Sequence, residues 1–147
     1  MTNSNNLIDS LEVYVLNNPD DVKAHWVSHF IVPTANELLI KIKNKNGNSG
    51  FGLATSYSDI SPIIKPFSNG LEDFIIGQDP FCPEKIYESI SKLTDTRISS
   101  EKGWGKEALI RISAALDIAC WDLMGKSSNI PLYKLFGGYR NKIPVYV

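Results

Sequence analysis

The two histidines of this 147-residue sequence are the first side chains to consider for holding a metal ion or moving a proton, together with the acidic residues near them. His25 and His29 are four residues apart, a spacing that would place both on one face of a helix. A zinc-binding H-E-x-x-H motif has its glutamate between the histidines, whereas the nearest acidic residues here, Asp20 and Asp21, precede them. Metal binding and a position in a partly packed loop therefore both stay open, and the nearby Pro33 favours the loop.

The other candidate motifs are incomplete. Asp117 and Asp122 lie five residues apart, so on a helix they diverge by about 140° and do not form an acid/base pair. The two G-x-G pairs, at residues 50–52 and 103–105, do not continue to the G-x-G-x-x-G of a phosphate-binding loop. Ser56 lacks the G-x-S-x-G frame of a nucleophile elbow. The sequence therefore assigns no catalytic residue and no metal ligand within this chain.

Composition narrows the class of protein. Hydrophobic residues make up 43% and charged residues 21% of the chain, as in an ordinary globular domain, and the net charge is −1. This balance argues against a nucleic-acid or anionic-membrane partner, and no apolar run approaches the roughly 20 residues of a membrane helix. The polar start does not resemble a signal peptide. Cys82 and Cys120 fit free thiols in a reducing cytoplasm, although a disulfide between them stays an alternative, and we expect a cytoplasmic protein.

Alternating apolar residues predict three β-strands in the first part of the chain. The alternation is clear over residues 10–15 and 38–43, and residues 50–55 form the returning strand. Between the last two stands Asn46-Gly47, which predicts a hairpin with a type I′ turn. The two glycines of the third strand indicate a close backbone approach or a bulge.

A segment without regular periodicity, residues 17–36, joins the first two strands. It is too long for a hairpin turn and carries both histidines, Trp26 and Phe30. Long loops inside compact domains are uncommon and often functional. We therefore predict that this loop contributes to a binding site.

Helical periodicity begins near Asp59 and predicts three main helices. The first runs toward Gly77 with a break indicated at Gly70, and the second begins at Pro83. The third spans Leu109 to Leu123 and has opposite charges four residues apart, with Gly125 as its predicted end. A short turn over residues 131–136 and a final strand over residues 143–147 complete the pattern.

One stretch of the third helix resembles a known family. The run A-L-D-I-A-C-W-D-L-M-G-K ends at Lys126 and is followed by P-L-Y-K-L-F-G-G, ending at Gly138. This pattern is similar to the last helix of the N-terminal capping domain in enzymes of the enolase superfamily, of the mandelate racemase and muconate lactonizing enzyme type. Gly50-Phe-Gly52 and Gly77-Gln-Asp-Pro80 also stand where such domains place them, so the resemblance covers essentially the whole chain.

The resemblance implies an α+β fold, a three-stranded antiparallel β-meander followed by a bundle of three main helices. Residues 1–140 would form the capping domain, and residues 141–147 would begin a truncated (β/α)-barrel domain. In such enzymes the barrel carries the acid/base residues and three carboxylate ligands to Mg²⁺, and the reaction removes a proton α to a carboxylate. No residue here matches those positions, so this chain alone is expected to be inactive and the Mg²⁺ of the parent enzyme to bind elsewhere.

The resemblance also implies a role for two loops that close over the barrel mouth, residues 25–32 and 55–58 here. The substrate-binding residues expected on them are His25, Trp26, His29, Phe30, Ser56 and Tyr57. Trp26 and Phe30 could instead anchor their loop to the core, and Tyr57 could begin the next helix. The implied partners are the chain's own barrel domain, a small carboxylic-acid substrate and further copies in a homo-oligomer.

Two questions stay open at this stage. Polar loop residues suit a hydroxylated acid, so sugar-acid dehydration is our first expectation for the parent reaction, with racemisation, epimerisation and cycloisomerisation as alternatives. A function of another class, a free-standing protein-interaction module, would use the same apolar surfaces to bind a separate protein.

Overall fold

The computed structural model describes residues 4–17, 25–27, 29–32, 36–140 and 142–146. Within these ranges the strands are β1 (Ile8–Leu16), β2 (His25–Val27), β3 (Phe30–Val32), β4 (Asn36–Asn44) and β5 (Ser49–Ser56). The helices are α1 (Ser61–Ser68), α2 (Pro83–Lys92), α3 (Arg97–Lys102), α4 (Lys106–Ser128) and α5 (Leu132–Leu135). Short 3₁₀ turns lie at Ser4–Asn6, Leu71–Phe74 and Leu93–Asp95.

The sheet consists of β1, β4 and β5, all antiparallel, with β4 in the middle. Its helix-facing side carries the buried Leu38, Ile40 and Ile42 at alternate positions of β4, because side chains of a strand point to opposite faces in turn. The predicted α+β class and three-stranded meander are confirmed.

The hairpin between β4 and β5 forms as predicted, but its turn type differs. Gly47 has a φ of 87° while Asn46 keeps a negative φ, and the Gly47 N–H donates to the Asn44 carbonyl at 3.0 Å. The prediction of a type I′ turn was wrong because that turn needs two central residues with positive φ. Four residues, 45–48, lie between the strands, so a single left-handed glycine suffices to reverse the chain.

Helix α4 packs across β5 at backbone distance. A Cβ atom placed on Gly50 would lie 2.0 Å from the Ala119 carbonyl oxygen, and one on Gly52 would lie 1.9 Å from that of Ala115. The strand is in regular register with β4 at both glycines. The prediction of a close approach is therefore confirmed, and the alternative of a bulge does not apply there.

Helices α1 and α2 pack against α4 and complete the core. Trp104, just before α4, is buried edge-to-face against Phe74, with 6.1 Å between ring centroids. Fully buried side chains at the centre of the core are Ile8, Leu38, Ile40, Ile42, Leu71, Ile75, Ile86, Ile90, Leu109, Ile112, Leu116 and Leu123.

Two predicted boundaries, at Gly70 and Gly125, can be compared with the structure. The first predicted helix is divided at Gly70, whose φ is 86°, into α1 and a 3₁₀ turn. Gly125 does not end α4, which continues to Ser128, so that prediction was wrong. Asn129, with a φ of 53°, ends the helix instead: its N–H and that of Ile130 donate to the carbonyls of Lys126 and Gly125, as in a Schellman motif.

Two segments also differ from their predicted secondary structure. Residues 25–32, predicted as irregular, contain the antiparallel pair β2 and β3, whose strands of three residues are too short to show an alternation in sequence. Residues 142–146 form no strand and are exposed. The predicted terminal strand is therefore absent from that part of the chain, because none of the described strands pairs with it.

Candidate functional site

The two predicted loops leave the sheet at the same end of its strands. In the strand register Leu16 at the end of β1 lies opposite Glu37, and Ser56 at the end of β5 lies opposite Asn36 at the start of β4. The connection from β1 to β4 and the turn after β5 therefore both begin at one end of the three strands. We call this end, together with the turn of residues 57–60, the loop edge.

Polar contacts fix the turn of the loop edge from within and from β4. The Ser56 hydroxyl donates to the Asp59 carbonyl at 3.1 Å and accepts from the Ser58 N–H at 3.4 Å. The Asn36 side-chain amide donates to the Ser58 carbonyl at 3.0 Å. These bonds satisfy backbone groups that a helix or sheet would otherwise pair, so the turn has a defined conformation.

Asp59 links the turn to α1. Its Oδ1 atom accepts from the backbone N–H of Ser61 at 3.0 Å and from the Ser61 hydroxyl at 2.8 Å. Hydrogen bonds to the ionised form favour it, and the bonds from the Ser61 N–H and hydroxyl hold the pKa of Asp59 below its ordinary value. The carboxylate is therefore an acceptor that starts α1 rather than a proton carrier.

Arg111 of α4 holds the turn from the helix side. Its Nη1 atom donates to the Thr55 carbonyl, and its Nη2 atom lies 2.7 Å from Glu107 Oε1 in an i,i+4 ion pair. The Arg111 side chain is 32% exposed. One guanidinium thus connects the last residues of β5 to the first turns of α4, which its five-donor fork allows.

A cavity of about 220 Å³ lies beneath the turn, between it and the first residues of α1 and α4. Among the residues that the structure describes, its charged lining side chains are Asp59, Glu107 and Arg111. Asp59 accepts from Ser61, and Glu107 and Arg111 pair with each other, so each of these three described side chains already has a partner. It can accommodate water or a small polar group.

Three of the six predicted substrate-binding side chains, those of His29, Ser56 and Tyr57, are described by the structure. Tyr57, the first residue of the turn, is 50% exposed, whereas Ser56 beside it is buried and its hydroxyl donates to the Asp59 carbonyl. His29 is exposed between β2 and β3. The side chains of His25, Trp26 and Phe30 lie outside what the structure describes, so their roles stay predictions. Of the six predicted residues, the structure shows Ser56 and Tyr57 side by side at the end of β5.

Sequence reasoning missed the residues that hold the turn. Arg111 was recognised only for its helical pair with Glu107, and Asn36 only as the end of a loop. The spacing Asp59-x-Ser61 before a helix is a local signal for a side chain that accepts from a backbone N–H. The contact of Arg111 with Thr55 spans 56 residues, and no pattern in a single sequence indicates it.

The remaining candidate motifs have structural roles. Asp122 accepts from the Phe51 N–H at 2.9 Å and from Lys126 at 2.6 Å, and so ties α4 to β5. Burial and the nearby Glu84 raise the pKa of Asp117, although a hydrogen bond from Trp121 opposes the shift. The glycines of residues 103–105 form the link between α3 and α4. Among the described residues no three His, Cys, Asp or Glu side chains are placed to share a metal ion.

A second feature is the outward side of α4, which is apolar. Ile110 and Ile118 are 46% and 53% exposed, and Trp121 packs on the exposed Phe136 with 4.7 Å between ring centroids. Exposed apolar groups that form a continuous surface mark binding surfaces. In the described part of the chain, no helix is long and apolar enough to cross a membrane.

Comparison with known proteins places these features in a family context. Residues 10–137 match the family model of the mandelate racemase / muconate lactonizing enzyme N-terminal domain. A hydrophobic dipeptide epimerase of Enterococcus faecalis is 29% identical over 120 residues, which are 76% of this chain and 29% of that protein. A D-galactonate dehydratase family member of Enterococcus gallinarum is 33% identical over 100 residues, which are 67% of this chain and 23% of that protein.

Among solved structures, a racemase from Streptomyces coelicolor A3(2) with bound magnesium is similar to this chain, with a TM-score of 0.76 and 28% identity. The similarity covers 95% of this chain and 38% of the racemase. The chain therefore spans less than a third of the length of the two curated relatives above, and little more than a third of the racemase chain.

Proposed function

The chain belongs to the mandelate racemase / muconate lactonizing enzyme family as its N-terminal domain, and we propose that it caps the active site of an adjoining catalytic barrel. The loop edge would close over the barrel mouth and take part in substrate selection. The observation that carries this proposal is that both candidate loops leave one edge of the sheet. A cap needs its contacts on one side, and this topology supplies them.

The turn of the loop edge has the properties of a preorganised binding element. Its backbone is held by Asn36, Ser56 and Arg111, while the Tyr57 side chain stays half-exposed. A side chain on a fixed backbone loses little further freedom when it meets a ligand. Tyr57 would therefore offer its ring and hydroxyl to the substrate, with Ser56 shaping the turn.

Magnesium and the proton-transfer residues would belong to the barrel. Mg²⁺ takes oxygen ligands, mainly carboxylates and water, and the two carboxylates that line the cavity beneath the turn, Asp59 and Glu107, are already bonded to Ser61 and Arg111. When bound in the barrel, the metal would stabilise the negative charge that forms when the α-proton is removed. This chain's own residues would contact the substrate and exclude water.

The apolar side of α4 supports a barrel as the partner. Ile118 and the tilted ring pair of Trp121 and Phe136 offer an apolar surface before the proposed domain boundary at residue 140. Residues 141–147 would then be the entry into the first barrel strand. An interaction module that binds a separate protein through this surface is the second candidate, supported by the same exposure. A genomic reading frame that continues into a barrel would exclude it, and a natural stop codon after Val147 would favour it.

The substrate would be a small carboxylic acid. The curated relatives include an epimerase and a dehydratase family member, and we retain sugar-acid dehydration as the first proposal because His29 and Tyr57 supply polar groups at the surface. Racemisation, epimerisation and cycloisomerisation are the alternatives that a substrate panel separates.

The test is a substrate profile of the full-length enzyme with His29→Ala or Tyr57→Phe. A site that hydrogen-bonds a substrate group loses about 1–3 kcal/mol when one partner is removed, so relative kcat/KM among related acids should change by roughly fivefold or more. Tyr87→Phe is the matched control for Tyr57→Phe, because Tyr87 on α2 is similarly exposed, at 47%, and lies outside the loop edge. An unchanged ranking of substrates in both loop variants, with normal folding, would contradict the proposal.

A further inference from the structure

An acidic side chain stands among the apolar ones on the outward side of α4. Asp117 lies seven residues after Ile110 and four before Trp121, so the three side chains share one side of the helix. Ile110 is exposed, and Asp117 is partly buried. A carboxylate therefore lies within this apolar surface.

The surroundings of Asp117 supply a hydrogen bond and a like charge. Its carboxylate accepts a hydrogen bond from Trp121, and Glu84 in the first turn of α2 acts on it as a second negative charge. Burial and the Glu84 charge raise the pKa of Asp117. Among the described residues neither carboxylate forms a salt bridge. A carboxylate accepts about four hydrogen bonds, so the bond from Trp121 uses only part of this capacity.

A surface that covers Ile110 and Trp121 would also remove water from Asp117. Burying a carboxylate is costly unless a cation and hydrogen bonds compensate for the lost water. The neighbouring Glu84 increases this cost, because like charges repel more strongly when water is excluded. The charge of this surface therefore favours a partner that brings a positive charge to Asp117.

We propose that the catalytic barrel binds the outward side of α4 through a cationic side chain, an arginine or a lysine, that pairs with Asp117. The inference rests on the proposed capping function, because the barrel is the occupant. Phe136, which packs on Trp121, lies four residues before the proposed boundary at residue 140, so the chain would enter the barrel from this surface. A charge pair within an apolar contact fixes the orientation of the cap, since other orientations leave both charges unpaired.

The first experiment compares carboxylate labelling of the 147-residue chain and of the full-length enzyme. A water-soluble carbodiimide with an amine converts accessible carboxylates to amides, and mass spectrometry measures the rate at each residue. Asp117 should react at least about tenfold more slowly in the full-length enzyme, because the barrel excludes the reagent and the cation occupies the carboxylate. Glu72, exposed on the 3₁₀ turn that follows α1, is the reference carboxylate. Equal rates at Asp117 in the two proteins, each relative to Glu72, would overturn the proposal.

Two variants separate the charge pair from the apolar contact. Asp117→Asn keeps the size of the side chain and removes its charge. It should lower the denaturation midpoint of the full-length enzyme and leave that of the 147-residue chain unchanged or higher, because there it only relieves repulsion from Glu84. Ile118→Ser removes an exposed apolar group and should also lower the midpoint in the full-length enzyme alone. Glu72→Gln is the matched loss of charge and should change neither midpoint.

The outcomes distinguish this inference from the capping function. A loss with Ile118→Ser but none with Asp117→Asn would overturn the charge pair and leave the barrel as the partner. Equal losses with Asp117→Asn in both proteins would also overturn it, because Asp117 would then support α4 itself. A protected Asp117 with a loss in the full-length enzyme alone would support the pair, even if the loop-edge variants leave the substrate ranking unchanged and so contradict substrate selection.

Discussion

The contact between β5 and α4 and the loop edge lie on the same strand, yet they hold their neighbours by opposite means. At the first, Gly50 and Gly52 bring the strand backbone against the carbonyls of Ala115 and Ala119, with no room for a side chain. At the second, a few residues later, side-chain hydrogen bonds hold the turn and Tyr57 projects into solvent. The first fixes the fold, and the second can change its side chains while the fold stays intact.

The largest expected difference concerns the two thiols. Cys120 lies on α4 next to Ala119 and is fully buried, and burial raises the pKa of its thiol to about 12. Cys82 is partly exposed. The thiolate is the reactive form, so a thiol reagent at pH 8 should react with Cys120 only when the protein unfolds around it. With a free energy of unfolding of at least about 5 kcal/mol, Cys120 should react more than about a thousandfold more slowly than Cys82. Equal rates in the native protein would show that Cys120 becomes accessible by a local opening, without global unfolding.

Gly52→Ala should have the largest effect on stability among the substitutions. The added Cβ would lie 1.9 Å from the Ala115 carbonyl oxygen, which is backbone and cannot move aside. We expect the free energy of unfolding to fall by more than about 4 kcal/mol, measured by chemical denaturation. Gly105→Ala is the matched control: it has open space and a φ of −74°, so its stability should stay within about 1 kcal/mol of the wild type.

Leu116→Ala tests the side of α4 that packs by side chains rather than by backbone. Leu116 is completely buried, so the substitution leaves a cavity and should lower the free energy of unfolding by about 2–5 kcal/mol. Thermal unfolding followed by circular dichroism measures the loss. A loss below about 1 kcal/mol would mean that the core around α4 collapses to fill the space.

Arg111→Ala tests how firmly the loop edge is held. Loss of the bond to the Thr55 carbonyl should lower stability by only about 1 kcal/mol, because the guanidinium is partly exposed and water replaces it. Amide hydrogen exchange over residues 57–60 should nevertheless become several-fold faster. Arg97→Ala removes an exposed i,i+4 pair on α3 and serves as the control with unchanged exchange at the turn.

Tyr57→Phe should have the smallest effect on the fold. Its ring is half-exposed, and substitutions at such positions usually change stability by less than about 0.5 kcal/mol. Denaturation midpoints of the variant and the wild type should therefore coincide. A clear loss of stability would mean that the Tyr57 hydroxyl supports the turn, and the comparison between a rigid contact and a variable edge would fail.

Local patterns predicted what depends on near neighbours in the chain. The alternation in β1 and β4 and the i,i+4 pair of Asp122 with Lys126 follow from repeats of two and 3.6 residues. The hairpin at residues 45–48 follows from the turn residues Asn46 and Gly47. Pro83 begins α2 as predicted because a missing N–H costs nothing in the first helical turn. The family pattern on α4 added the domain type.

The tertiary structure decided what depends on residues far apart in sequence. The sequence indicated that Gly50 and Gly52 approach a backbone, but only the fold shows that it belongs to α4. Gly125 was expected to end α4, yet the helix continues past it to Ser128. The glycine is inside the helix because Ile130 and Leu132 pack closely against it and leave little room for a side chain. Likewise the loop edge exists because strand register places the ends of β1 and β5 beside the start of β4, a pairing between distant segments that no local periodicity encodes.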